Sequence, residues 1–159
     1  MKWQRNYLFL AAIGVLLAAA GAFHADATAE RQAFYVGSET CGGCHEAQFT
    51  SFTANSKKAH SYENIRKMQK KLTPEEFRGC FKCHTTGHGE AGGFVSIEET
   101  PALRNPGCEV CHGPGSLHAE SGNPADLTGK VSLETCVQCH SSERVAAFGF
   151  KPMLYAGAH

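Results

Sequence analysis

Eight cysteines and four of the nine histidines fall into one phrase that the chain writes four times, C-x-x-C-H. The copies are Cys41-Gly42-Gly43-Cys44-His45, Cys80-Phe81-Lys82-Cys83-His84, Cys108-Glu109-Val110-Cys111-His112 and Cys136-Val137-Gln138-Cys139-His140, and no cysteine is left over. Two thiols three positions apart, with an imidazole directly after them, are what covalent attachment of a haem requires. The thiols add across the two vinyl groups and the imidazole takes one face of the iron. The expected cofactor-binding residues are therefore Cys41, Cys44, Cys80, Cys83, Cys108, Cys111, Cys136 and Cys139, and the expected proximal ligands are His45, His84, His112 and His140. Two other chemistries use such cysteines. Four disulfides would suit an exported chain, but a pair this close closes only a tiny loop and leaves each histidine unexplained. Zinc is held by two C-x-x-C pairs, but needs no histidine after each second cysteine. The repeat points to four covalently attached haem c groups.

The other histidines sharpen this. His24 belongs to the leader described below, and His60, His88, His118 and His159 follow the four motifs in turn. Four irons and four spare imidazoles imply bis-histidine coordination throughout. Such iron is low-spin, closed to small ligands and lower in potential than Met/His iron. Met68 and Met153 are the competing soft ligands. His88 lies four residues past His84 and His118 six past His112, too close to reach the opposite face of the same ring. The distal ligands are therefore expected to cross between haems, which would hold the cofactors close together. His159 is the last residue, where chains fray, but its apolar lead-in from Phe148 is expected to pack onto something.

The elements that must position these groups read as short helices joined by long loops. Ser38 reads as the N-cap of a helix running through the first motif to about Phe52, with Phe49 and Phe52 set three apart to face a haem. Tyr62 to Met68 reads as a short amphipathic helix. Thr73-Pro74-Glu75-Glu76 combines an N-cap, a proline at the first helical position and a glutamate at the third, and should deliver Cys80 to His84. Phe94 to Ile97 reads as a short strand. Gly113-Pro114 should stop the third motif's helix at once, and Ser132 should cap the helix carrying the fourth. The fold class expected is mainly α with long loops and little or no sheet, a small multihaem cytochrome c fold organised around four covalently bound haems.

The chain starts like an export signal: Lys2 and Arg5, an apolar run of 17 residues from Tyr7 to Phe23, then small-residue cleavage sites at Ala25-Asp26-Ala27 and Ala27-Thr28-Ala29. Residues 1–27 are read as a signal peptide, cleaved near 27–29, and 28–159 as one tetrahaem domain. The run sits at the short end of the range for a spanning helix, so membrane association is expected only if it stays uncleaved. Removing Lys2, Arg5 and Asp26 with the leader leaves 13 Lys and Arg against 14 Asp and Glu. The propionates of four haems would bring the loaded protein to about −9, and nothing in the sequence suggests nucleic acid. Eight Lys and Arg face three acids between Lys57 and Lys82, a stretch that reads as a solvated face neutralising propionates, or more sharply as a docking patch for an acidic redox partner. At roughly 33 residues per cofactor, the haems must supply much of the buried apolar area, so the chain without them is expected to be largely unfolded.

Three strings resemble the cytochrome c-554/c-prime family of multihaem cytochromes over about Tyr35 to His140. They are Ser56-x-x-x-His60 after the first motif, the second motif read on as C-H-T-T-G-H, and the third as C-E-x-C-H-G-P-G-x-x-H. The resemblance implies haems packed in parallel-stacked and perpendicular pairs, and electron transport in periplasmic respiratory chains. It implies His60 as distal ligand opposite His112, His88 opposite His45 and His118 opposite His140. It also implies a second haem that can lack a distal ligand, its iron on His84 either open or capped by His159. The function expected is a periplasmic or extracellular electron carrier between a protein donor and a protein acceptor. The alternatives are a haem enzyme acting on small nitrogen oxides at an open His84 iron, and a homo-oligomeric subunit of a cytochrome filament.

Overall fold

The computed structural model describes residues 31–141. The leader expected over 1–27, the apolar tail from Phe148, Met153 and His159 lie outside the described residues. Gln32 and the described residues after it form one compact unit, built of eight short α-helices: α1 (Ser38–Gly42), α2 (Glu46–Asn55), α3 (Ser61–Arg66), α4 (Pro74–Gly79), α5 (Phe81–His84), α6 (Glu109–His112), α7 (Ser116–Ser121) and α8 (Leu133–Val137). Single 3-10 turns at Lys57–His60, Gln69–Lys71, Pro101–Leu103 and Pro124–Asp126 punctuate the loops. No strand occurs among the described residues, in keeping with the expected fold class.

Three local expectations are corrected. Ser38 does not cap α1: Gly37 holds that position at φ 85°, and the Ser38 hydroxyl instead accepts the Cys108 N–H at 3.1 Å. The helix through the first motif is not continuous to Phe52. It breaks at Gly43–His45, and α2 begins at Glu46. Two consecutive glycines make a weak helix interior, and the Phe49 ring lies so close over Gly42 that a Cβ there would stand 2.8 Å from its Cγ. The ring thus turns α2 back onto α1. Phe94 to Ile97 is not a strand, because its amides find partners in a local turn and not in a neighbouring ladder: Val95 N–H donates to Thr100 Oγ and Thr100 N–H to Ser96 O.

Other local signals hold. The Thr73 hydroxyl accepts the Glu76 N–H at 3.3 Å while the Glu76 carboxylate accepts the Thr73 N–H at 2.8 Å, a complete capping box with Pro74 at the first turn. Those bonds hold the Glu76 carboxyl below its ordinary value. Helix α6 stops at His112 with Gly113 at φ 79°. Ser132 does occupy the N-cap position of α8, though it makes no capping bond; its hydroxyl turns to the Glu134 carboxylate and holds that group low.

The core is a single aromatic cluster. Tyr62 and Ile65, three apart on α3, meet Phe77 of α4, Phe81 of α5, Phe94 and Leu103, all buried. Phe81 meets Phe77 and Phe94 edge to face at 5.1 and 5.2 Å between ring centres, the geometry their quadrupoles favour. Buried Thr86 ties the long loop over this cluster. Its N–H donates to Leu103 O, its carbonyl accepts from Phe94 N–H, and its hydroxyl donates to Asn105 O while accepting from Gly107 N–H. Gly87 and Gly93 pass so close that a Cβ on Gly93 would overlap the Gly87 carbonyl. The core thus surrounds the second motif, and the other three motifs lie outside it.

Candidate functional site

All four motifs adopt one conformation. In each, the N–H of the second cysteine and that of the histidine both turn back to the carbonyl of the first cysteine. The distances are 3.2 and 2.9 Å in the first motif, 3.3 and 3.2 Å in the second, 3.2 and 3.1 Å in the third, and 3.3 and 2.9 Å in the fourth. This is one helical turn, which sets side chains three apart on one face. Both thiols therefore face the same side, with the imidazole one position further round. No two of the eight cysteines are joined as a disulfide; Cys44 is exposed and the others are half-buried. Among the described residues no three His, Cys, Asp or Glu side chains converge to hold a bare metal ion. That donor set does not fit a zinc cluster. It fits haem, which brings its own four nitrogens and asks the chain for two thiols and an imidazole at each site.

The motifs meet one another through their sulfurs. The Cys41 sulfur neighbours that of Cys108, which brings the first motif beside the third. The Cys139 sulfur neighbours that of Cys83, which brings the fourth beside the second. Cys111 lies within electrostatic reach of Cys136, linking the third to the fourth.

A metal-bound imidazole usually donates its other ring N–H to a fixed acceptor, which settles tautomer and orientation. In the tautomer that leaves Nε2 for iron, His112 Nδ1–H donates to Thr128 O at 2.7 Å and His84 Nδ1–H to the Ser61 hydroxyl at 2.6 Å. Of the spare histidines, His88 Nδ1 is held in the same way by Phe94 O and His118 Nδ1 by Asn123 O, each at 2.9 Å. His60 differs: its Nε2 lies 3.0 Å from Thr53 O on its own side of the loop. Its neighbour Lys58 sits near Cys111, Cys139 and His140, so the segment does approach the third and fourth motifs. Burial, and then the Lys58 charge, depresses His140.

The structure brings one proximal and one spare histidine near each other. The rings of His45 and His118 lie 6.1 Å apart between centres with planes 20° from parallel. With each ring turned edge-on, a nitrogen toward one metal between them, two bonds of about 2 Å plus the depth of two rings would span about this separation. The pairing implied by resemblance was His88 with His45 and His118 with His140. The observed contact pairs His118 with His45. His88 packs edge-on to Phe81 inside the second motif, at 5.2 Å.

Sequence reasoning overlooked two supporting residues. Ser61, which holds His84, has no local signature. Glu109 stands inside the third motif; the family-like string C-E-x-C-H-G-P-G-x-x-H includes it without giving it a role, and the other motifs carry Gly, Phe or Val there. It is buried at 3% exposure, with both oxygens engaged by backbone amides. An open cleft of about 770 Å³ beside Tyr62, Phe77, Arg66 and Arg78 is lined by Phe81 of the second motif but by no motif cysteine or histidine. Among the described residues no helix is long and apolar enough to cross a membrane.

Known proteins resemble this chain in sequence and in fold. The family described as cytochrome c554 and c-prime matches residues 40–113, which take in the first three motifs with His60 and His88. Cytochrome c-554 of Nitrosomonas europaea is 36% identical over 110 residues, covering 60% of this chain and 47% of that protein. The chain thus spans about half the length of this curated relative. The solved structure of reduced cytochrome c554 from Nitrosomonas europaea superposes with a TM-score of 0.59 at 26% identity, over 81% of this chain and 86% of that one.

Proposed function

We propose that this chain, a multihaem c-type cytochrome of the cytochrome c554 and c-prime family that binds four c-type haems, is an exported electron carrier that works between a protein donor and a protein acceptor in a respiratory chain. One observation carries the reading: the attachment sulfurs neighbour one another in the order first, third, fourth, second motif. No cofactor site stands apart from the others, as a route for electrons through the protein demands. Each haem supplies a one-electron iron couple when bound. The chain's residues tether it twice, give it one imidazole and, at His45, bring up a second from His118. The exposed cations Lys57, Arg66, Lys67, Lys70, Lys71, Arg78 and Lys82 supply a basic surface for an acidic partner. The leader expected over residues 1–27 and the attachment chemistry support export to the periplasm or outside the cell.

A second reading, of an enzyme, comes from the family resemblance, which implies a second haem, held by His84, that is either capped by His159 or open to nitrogen oxides; His84 itself is held by the Ser61 hydroxyl. The purified holoprotein tests both readings. The carrier gives four reversible redox steps and no sustained consumption of nitric oxide or hydroxylamine with an artificial electron source. Steady turnover that His159→Ala accelerates would overturn it in favour of the enzyme. A particle size that grows with concentration would support the filament instead.

A further inference from the structure

The third motif carries a buried acid that no attachment chemistry requires. Glu109 Oε1 accepts the N–H of Val36 at 2.9 Å and that of Gly115 at 2.7 Å, and Oε2 accepts the N–H of Gly37 at 2.7 Å. Charge-assisted bonds of this length are among the stronger ones in proteins. The donors come from two places. Val36 and Gly37 lead directly into α1, which carries Cys41 and ends beside His45, while Gly115 leads directly into α7, which carries His118. One carboxylate therefore grips the start of α7, which carries His118, and the start of α1, three residues beyond whose end stands His45, the ring 6.1 Å from that of His118. It does so from within the turn that holds the neighbouring haem. The surroundings are shaped around it: a Cβ on Gly115 would stand 3.2 Å from Oε1 and 3.4 Å from the Val36 side chain. A second contact steadies the same arm without using the acid, since Ser116 and Phe34 exchange two hydrogen bonds, Phe34 N–H to Ser116 Oγ and Ser116 N–H to Phe34 O.

We propose that Glu109 is a positioning residue for the first haem: by holding Gly37 and Gly115 together it sets the distance and ring angle between His45 and His118, and ties both to the third motif. The proposal rests on the reading of His45 and His118 as the two ligands of one iron. Its reach matters as well as its charge. Aspartate is one carbon shorter and cannot span both segments. Glutamine has the length, but turns an NH2 toward one of the three donors and loses that bond.

The test uses the full holoprotein with Glu109→Gln, Glu109→Asp and Gly115→Ala, and Ser116→Ala as the control on the same arm. Haem content is counted by mass and pyridine haemochrome. Low-spin EPR, which responds to the angle between two imidazole planes on one iron, and a stepwise redox titration are then recorded. The expected result is four haems retained, one EPR component and one redox step shifted in the Glu109 variants, and a smaller shift of the same component in Gly115→Ala. Ser116→Ala should lower the melting temperature and leave all four components in place. Spectra and redox steps that superimpose on wild type in every clamp variant holding four haems would overturn the proposal. So would a shift of all four components together, which would mark general loosening. If Glu109→Gln fails to mature, Glu109→Asp and Gly115→Ala carry the same readout. Failure of the pairing itself shows elsewhere, in the His118→Ala experiment below.

Discussion

The imidazole of His118 lies 6.1 Å from that of His45 between ring centres, with their planes 20° from parallel, although one follows the third motif and the other closes the first. On the proposed reading, a ligand taken from the helix that follows another motif would tie two cofactor sites together. Replacing His118 by Ala should convert one haem, about a quarter of the iron, from low-spin to high-spin. Optical and EPR spectra measure the fraction. The new signal should disappear when Cys41 and Cys44 are also replaced by Ser, and should survive the same change at Cys136 and Cys139. The opposite pattern would restore the pairing of His118 with the fourth haem.

Ser61 acts on one haem alone. Its hydroxyl lies 2.6 Å from His84 Nδ1, and an acceptor there makes the imidazole a better electron donor to iron, which favours the oxidised state. Ser61→Ala should raise the potential of the second haem and leave the other three steps where they are, as read by spectroelectrochemical titration. The loss of one hydrogen bond at a half-buried site should cost about 1 kcal/mol in stability.

The crossing of Gly87 and Gly93 should tolerate no side chain. A Cβ on Gly93 overlaps the Gly87 carbonyl, and Gly87 is itself pinned at φ 68° beneath the Tyr35 ring. Gly93→Ala should destabilise the holoprotein by about 3 kcal/mol, seen as an earlier midpoint in chemical denaturation. Gly79→Ala is the contrasting case. Gly79 sits at the end of α4 with nothing within 4 Å of its would-be Cβ and no positive φ, so its midpoint should move by no more than about 0.5 kcal/mol.

What could be read from sequence follows a physical divide. The attachment turns were legible because every bond that makes them joins residues three or four apart, Cys41 to His45 as much as Cys136 to His140. The Thr73–Glu76 box and the stop at Gly113 were legible for the same reason. Ser38 misled because a serine before a helix can serve either its own amides or a distant one, and Cys108, 70 residues away, won it. Phe94 to Ile97 misled because strand propensity needs a partner strand, and Thr86 and Thr100 took those amides first.

The sequence by itself determined the cofactor, its type and its number, and singled out the twelve residues expected to tether and ligate it on one side. Such chemistry depends only on residue identity and spacing within a single turn. Which motif neighbours which, which histidine crosses to His45, and why an acid stands in the third motif were decided by the tertiary structure. Those facts depend on contacts such as Gly37 to Glu109, 72 residues apart. Spacing along the chain places no constraint on such a contact until the helices and loops between have chosen their course.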